Sequence, residues 1–157
     1  MIFIDANVPM YLVGADPSAK QAARGALERA IEAGERLVTD AEVLQEILHR
    51  YVAIDRRDAI EPCTDVLLGI VDDVYPIELE DARRASGLVR ASRLGARDAL
   101  HVAVMQRRGI DRILSFDRVF DEIPGIARIA QAPPATSRSA SQARDLQNSS
   151  RGRARPA

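Results

Sequence analysis

Ile2-Phe3-Ile4 runs directly into Asp5, Ala6 and Asn7, and then into Val8-Pro9. Consecutive β-branched and aromatic residues predict a short buried strand. The carboxylate and amide that follow predict a turn into a helix, with Asn7 as its cap and Pro9 tolerated in its first turn. In an open sheet of parallel strands, ligands bind beyond the carboxyl ends of the strands, so an acid at that place faces a crevice and not a core. Asp5 occupies it. The pattern returns later: Arg112-Ile113-Leu114-Ser115-Phe116 predicts a strand that delivers Asp117 at its carboxyl end.

Between these strands the chain alternates. Pro17 to Ala33 places Ala23, Ala26, Leu27, Ala30 and Ile31 on one helical face, and Gly34 supplies the stop. Arg36 to Thr39 is too short for a helix and reads as a strand. Thr39 or Asp40 then caps a helix with an apolar stripe of Leu44, Ile47, Leu48, Tyr51 and Val52, leaving Glu46 beside the stripe and free to point along the edge of the sheet. Asp58 to Val71 is helical, with Pro62 in a first turn or kink. Val74 to Leu79 reads as a strand that Pro76 restricts to an edge or a strand start. Glu80 to Arg93 is a helix with Ala82, Ala85 and Val89 inward. Ala96 to Arg108 is apolar nearly all round, as in a helix buried on most sides, with Asp98 in its first turn and Gly109 at its end. A last short strand is expected at Ile126 to Ile129 after the Pro124-Gly125 turn. Connections this long between strands suit parallel crossovers, which gives an α/β fold: a three-layer α/β/α sandwich with a small parallel sheet.

With 157 residues, 46% of them hydrophobic, the chain can bury the core of one domain, expected over residues 1–130. Residues 131–157 change to Pro, Ala, Ser, Arg and Gln, with Leu146 as the only large aliphatic residue, and read as a disordered tail able to cling weakly to nucleic acid. That tail conceals a charge asymmetry. Residues 133–157 hold five Arg and one Asp, so residues 1–132 keep 17 basic and 22 acidic residues, a net charge of -5. No Trp and only three Phe and three Tyr argue against holding nucleic acid by stacking its bases. A lone Cys63, the lack of a long apolar run and the lack of a basic-then-apolar amino terminus lead to the expectation of a soluble, cytoplasmic protein.

Asp5 and Asp117 at strand ends, with Glu46 and Asp98 on flanking helices, would form a ring of carboxylates. Crowded carboxylates repel one another and raise each other's pKa unless a cation sits among them. The set is therefore read as a metal site, with Asp5, Asp98 and Asp117 as ligands and all four acids as catalytic residues. Mg2+ is the expected ion. The chemistry that follows is attack on a phosphodiester by a water that the metal acidifies and orients. Asn7 and Ser115 either orient the acids or serve as cap and turn residues. Arg97 either grips a phosphate or is a surface charge. His49 and His101 have no Cys or His partner at metal spacing and are read as packing at a helix face.

FIDAN around Asp5, VLQEIL around Glu46, GARDALHVA around Asp98 and LSFDRVFDEIPG around Asp117 resemble the successive motifs of the PIN-domain family. Their order and spacing are most similar to VapC-type toxins of bacterial toxin-antitoxin pairs, over about residues 1–130. The resemblance implies a PIN-like fold and a Mg2+- or Mn2+-dependent endoribonuclease. It also implies a homodimer held inactive by a cognate VapB-type antitoxin that obstructs the acidic pocket, with DNA met only through the antitoxin and no membrane. Asp117 is then the variable fourth acid, with Asp121 close enough to compete for its role. The Arg-rich tail and Pro76 depart from the family pattern.

Two other acidic-pocket proteins fit less well. A receiver domain needs a lysine across the pocket, and the single lysine, Lys20, falls on an early helix. A phosphohydrolase with an aspartyl nucleophile would want an acid where Asn7 stands. The remaining alternative is a PIN fold that binds RNA or acts as a scaffold without cutting.

Overall fold

The computed structural model describes residues 1–129. Within them, strands β1 (Ile2–Ile4), β2 (Leu37–Asp40), β3 (Asp73–Tyr75), β4 (Arg112–Leu114) and β5 (Ala127–Arg128) form one parallel sheet in the order β3-β2-β1-β4-β5. Phe3, Ile4, Val38, Ile113 and Leu114 on the central strands are wholly buried. The edge strand β3 stops at Tyr75. Pro76 has no N–H with which to extend the ladder.

Helices α1 (Asn7–Val13) and α2 (Pro17–Glu32) join β1 to β2, α3 (Ala41–Ala53) and α4 (Ile60–Ile70) join β2 to β3, and α5 (Leu79–Ala91) and α6 (Ala96–Arg108) join β3 to β4. Parallel crossovers are right-handed, so connections that run outward to β3 and then return to β4 put helices on both faces of the sheet. The expected three layers result. None of the described helices is long and apolar enough to cross a membrane. The expected tail at 131–157 lies outside the described residues.

Local chemistry sets the boundaries. The Asp16 carboxylate accepts from the N–H groups of Ser18 and Ala19, and Pro17 opens α2 where a missing N–H does no harm. Pro62 likewise falls in the first turn of α4, after a 3-10 turn at Arg57–Ala59. Gly109, at φ +66°, ends α6 in the left-handed region that an L side chain resists.

Three expectations need correction. Asn7 begins α1 itself and does not cap it, because its side chain is engaged elsewhere. Helix α3 buries Val43, Ile47 and Tyr51, whereas Leu48 and Val52 are exposed. Asp40 caps this helix by accepting from Val43 N–H, which turns the i, i+4, i+8 row starting at Val43 toward the sheet. On α5 the buried residues are Asp81 and Ala85, while Ala82 and Val89 face solvent. Arg107 of α6 donates to both Asp81 oxygens at 2.8 Å and so draws that face inward.

At the amino ends of the strands, Glu35 accepts from the Met1 ammonium at 3.0 Å and from Arg112 at 2.7 and 2.8 Å. The Arg112 and Met1 charges hold its carboxyl down at about 2. This clamp ties the starts of β1 and β4 to the turn before β2.

Candidate active site

From β1 the chain passes to β2 and β3 on one side, then returns with β4 on the other. Such a reversal opens a crevice beyond the carboxyl ends of the two strands that flank it. Asp5 follows β1 directly and Ser115 follows β4.

Asp5 is buried, and its carboxylate is held from several sides. Ala6 N–H donates to Oδ1 at 2.8 Å, while the Ser115 hydroxyl and the Asn7 amide donate to Oδ2 at 2.5 and 2.6 Å. Ser115 Oγ in turn accepts from Asn7 Nδ2 at 3.1 Å and from Asp117 N–H at 3.0 Å, which uses its donor and both lone pairs. Asn7 Oδ1 accepts from Phe116 N–H at 3.2 Å, so this side chain bridges the ends of β1 and β4. Burial pushes the Asp5 carboxyl up to about 6, partly opposed by His101 and Ser115. It belongs in a site where positive charge is welcome.

His101 stands one helical turn beyond Asp98 on α6 and is wholly buried. Its Nδ1 lies 3.1 and 2.9 Å from the two oxygens of Asp40. Nε2, on the other side of the ring, has no hydrogen-bond partner and is 3.7 Å from Glu46 Oε2. Burial alone would drive the ring toward its neutral form, but Asp40, Glu46 and Asp5 outweigh it and hold the imidazole up at about 10. The same ring, helped by Arg97, keeps the half-buried Glu46 carboxyl below its usual range.

Asp5, Glu46 and His101 therefore converge, each with one potential ligand atom within 4.8 Å of the others. Glu46 turns toward the centre of the sheet and not along its edge. His101 packs at its helix face against Phe3, at 5.4 Å between ring centroids, and also stands among carboxylates, whereas His49 is exposed. The signal was present: Asp98 and His101 share a helix face at i, i+3, and Leu37-Val38-Thr39-Asp40 repeats the strand-into-acid pattern of β1.

Asp98 is half-buried, and burial, with the charges of Asp117 and Glu46, lifts its carboxyl above the usual range. Gly95, at the N-cap of α6, makes room for it: a Cβ there would come within 3.0 Å of Asp98 Oδ2. Asp117 is exposed and accepts from Val119 N–H, capping the 3-10 turn at Arg118–Glu122. Neither Asp98 nor Asp117 belongs to the close trio. Asp121 is engaged with Arg128, which donates to both of its oxygens at 2.8 Å. Arg97 approaches Glu42 at 3.7 Å, on the same side as Glu46.

Two carboxylates and a buried imidazole nitrogen without a partner are a donor set that fits a divalent cation. A family model described as PIN domain matches residues 2–126. The chain belongs to the PIN-domain family. Two Mycobacterium tuberculosis relatives place it more closely among PIN domains. Ribonuclease VapC13 is 58% identical over 131 residues, which span 83% of this chain and 100% of that protein. Ribonuclease VapC23 is 43% identical over 118 residues, 74% of this chain and 93% of that protein. Solved PIN-fold structures share the architecture. Mycobacterium tuberculosis VapC20, described as a sarcin-ricin loop cleaving toxin, aligns with a TM-score of 0.61 at 22% identity, over 75% of this chain and 91% of its own. VapBC2 from Rickettsia felis, solved bound to a promoter DNA fragment, aligns with a TM-score of 0.64 at 14% identity, over 82% of this chain and 97% of the other.

Proposed function

We propose that this PIN domain is the toxin of a type II toxin-antitoxin pair, an endoribonuclease that hydrolyses RNA phosphodiester bonds with the help of Mg2+ or Mn2+. The observation that carries the reading is the buried Asp5 carboxylate, fixed by Ser115 and Asn7 at the reversal of strand order. Identity of 58% to a protein named as a ribonuclease, over that protein's whole length, supports the activity. Asp5, Asp98 and Asp117 would hold the cation. Bound there, it would supply acidification of the attacking water and compensation of charge on the phosphate oxygens.

The chain's own residues do the rest. Ser115 and Asn7 keep Asp5 in one orientation. Glu46 stays ionised beside His101 and accepts a hydrogen bond from the water that attacks phosphorus. Arg97 sits where its guanidinium can hold a phosphate oxygen, and Asp117 guards the exposed mouth. The domain spans residues 1–130 and works in the cytoplasm. A VapB-type antitoxin would cover the acidic crevice, and two copies of the chain would form a homodimer. DNA would be met only through the antitoxin, in keeping with the relatives solved as complexes with DNA.

The test is cleavage of cellular RNA by the purified full-length chain with Mg2+ or Mn2+, beside Asp5→Asn and Asp98→Asn. Both variants are expected to unfold cooperatively like the parent and to lose cleavage. Undiminished cutting by both would refute the assignment. Restored growth and co-purification on co-expression with the product of an adjacent small reading frame would establish the antitoxin.

A further inference from the structure

Three features of His101 are left unused by a site made only of acids. The side chain is wholly buried, its Nε2 has no hydrogen-bond partner, and that nitrogen lies 3.7 Å from Glu46 Oε2, with Asp5 in the same cluster. On the far side of the ring, both Asp40 oxygens engage Nδ1 at 2.9 and 3.1 Å. Asp40 is itself fixed, because it accepts from Val43 N–H at the start of α3. A carboxylate behind Nδ1 keeps the proton on that nitrogen, so it is Nε2 that gives up its proton and offers its lone pair when an ion enters. This is how imidazoles are held when they ligate metal ions.

We propose that His101 Nε2 is a direct ligand of the cation that Asp5 holds and that one Glu46 oxygen joins it there, making a mixed oxygen and nitrogen centre that favours a divalent transition ion such as Mn2+ over Mg2+. The inference rests on the metal-dependent reading above and adds to it two ligands, His101 and Glu46, and a preference. Ligand atoms around one such ion stand up to about 4.2 Å apart, twice a bond of about 2.1 Å. Here the three atoms lie within 4.8 Å, so small side-chain rotations close the site. Mg2+ demands oxygen donors and keeps several waters, whereas imidazole suits the transition ions. An entering ion takes the place of the ring proton, since the carboxylates that favour one positive charge favour the other.

The experiment loads the full-length chain with Mn2+ and records its electron spin echo envelope modulation, with affinities from Mn2+ and Mg2+ titrations. Modulation from a directly coordinated imidazole 14N is expected in the wild type and not in His101→Gln. The substitution should weaken Mn2+ binding by about tenfold or more, while Mg2+ affinity changes by less than about twofold. Stoichiometric Mn2+ binding without 14N coupling in the wild type would overturn the role of His101 and leave the metal-dependent reading standing. No Mn2+ binding at all would overturn both. The wild-type spectrum decides the matter even if His101→Gln does not fold.

Discussion

Ser115 Oγ donates to Asp5 Oδ2 at 2.5 Å, although 110 positions separate the two residues in the chain. The bond joins the carboxyl ends of neighbouring parallel strands, so sheet pairing and carboxylate orientation are fixed together. Ser115→Ala should therefore lower RNA cleavage by about 10- to 100-fold, the usual effect of removing a group that orients a metal-binding carboxylate. Stability should fall only by about 1 kcal/mol, or about 3 °C in melting temperature. Cleavage kinetics beside thermal melts would separate the two effects.

Divalent cations should stabilise the native chain, since the unfolded chain has no assembled site. At a Mg2+ or Mn2+ concentration about 100 times the dissociation constant, the gain is about 2.7 kcal/mol, several degrees of melting temperature. Asp5→Asn should melt at one temperature with and without the ion. A flat wild-type response to millimolar metal would count against the site.

Gly95→Ala probes the room around Asp98. The added Cβ would stand 3.0 Å from Asp98 Oδ2, and a side chain as short as Asp has little slack with which to withdraw. Cleavage and metal affinity should both drop, with the melting temperature within a few degrees of the parent because the backbone there is ordinary, at φ -65°. Wild-type kinetics in this variant would show that Asp98 does not need its present position.

Acid stability should depend on Arg107. Its guanidinium, with Glu78 N–H, holds the buried Asp81 carboxyl below the usual range. A carboxyl depressed in the folded state contributes stability that is present above its unfolded value, near 3.8, and lost as pH falls through the lower folded value. The wild type should accordingly lose stability below about pH 4. Arg107→Ala should melt lower at neutral pH, because Asp81 is left buried without its partner, and should show a weaker decline in acid. Melting curves between pH 2 and 7 would reveal both changes.

A chain ending at Ala132 should keep cooperative unfolding and full cleavage. The family match ends at residue 126, and beyond residue 130 the sequence has one large aliphatic residue with which to build a core. Loss of a cooperative transition on truncation would give the last segment a structural role.

The strand-end acids were legible because an apolar run stopped by a carboxylate is a local pattern. Asp5 stands where that pattern puts it, but β4 ends at Leu114, so Asp117 caps a 3-10 turn beyond the strand. The strand expected over Val74 to Leu79 ends at Tyr75, before Pro76. The inward face of α3 was misread because Leu48 and Val52 extend the apolar stripe as well as Val43 does; the cap at Asp40 chose between them. Asn7 was read as a cap because nothing local to it reveals Phe116 N–H, 109 positions away. The i, i+3 spacing from Asp98 puts His101 on the same helix face but does not reveal what it meets there. Its partners Asp40 and Glu46 lie on another strand and another helix, and only the packed sheet brings them to the ring.

Strand β1 pairs on one side with β2 and on the other with β4, which begins at Arg112. During synthesis, Asp5 leaves the ribosome 110 residues ahead of its Ser115 support and well ahead of the strand that flanks its own on that side. A polypeptide that stops short of β4 therefore lacks both the hydroxyl that orients Asp5 and one neighbour of the strand that carries it.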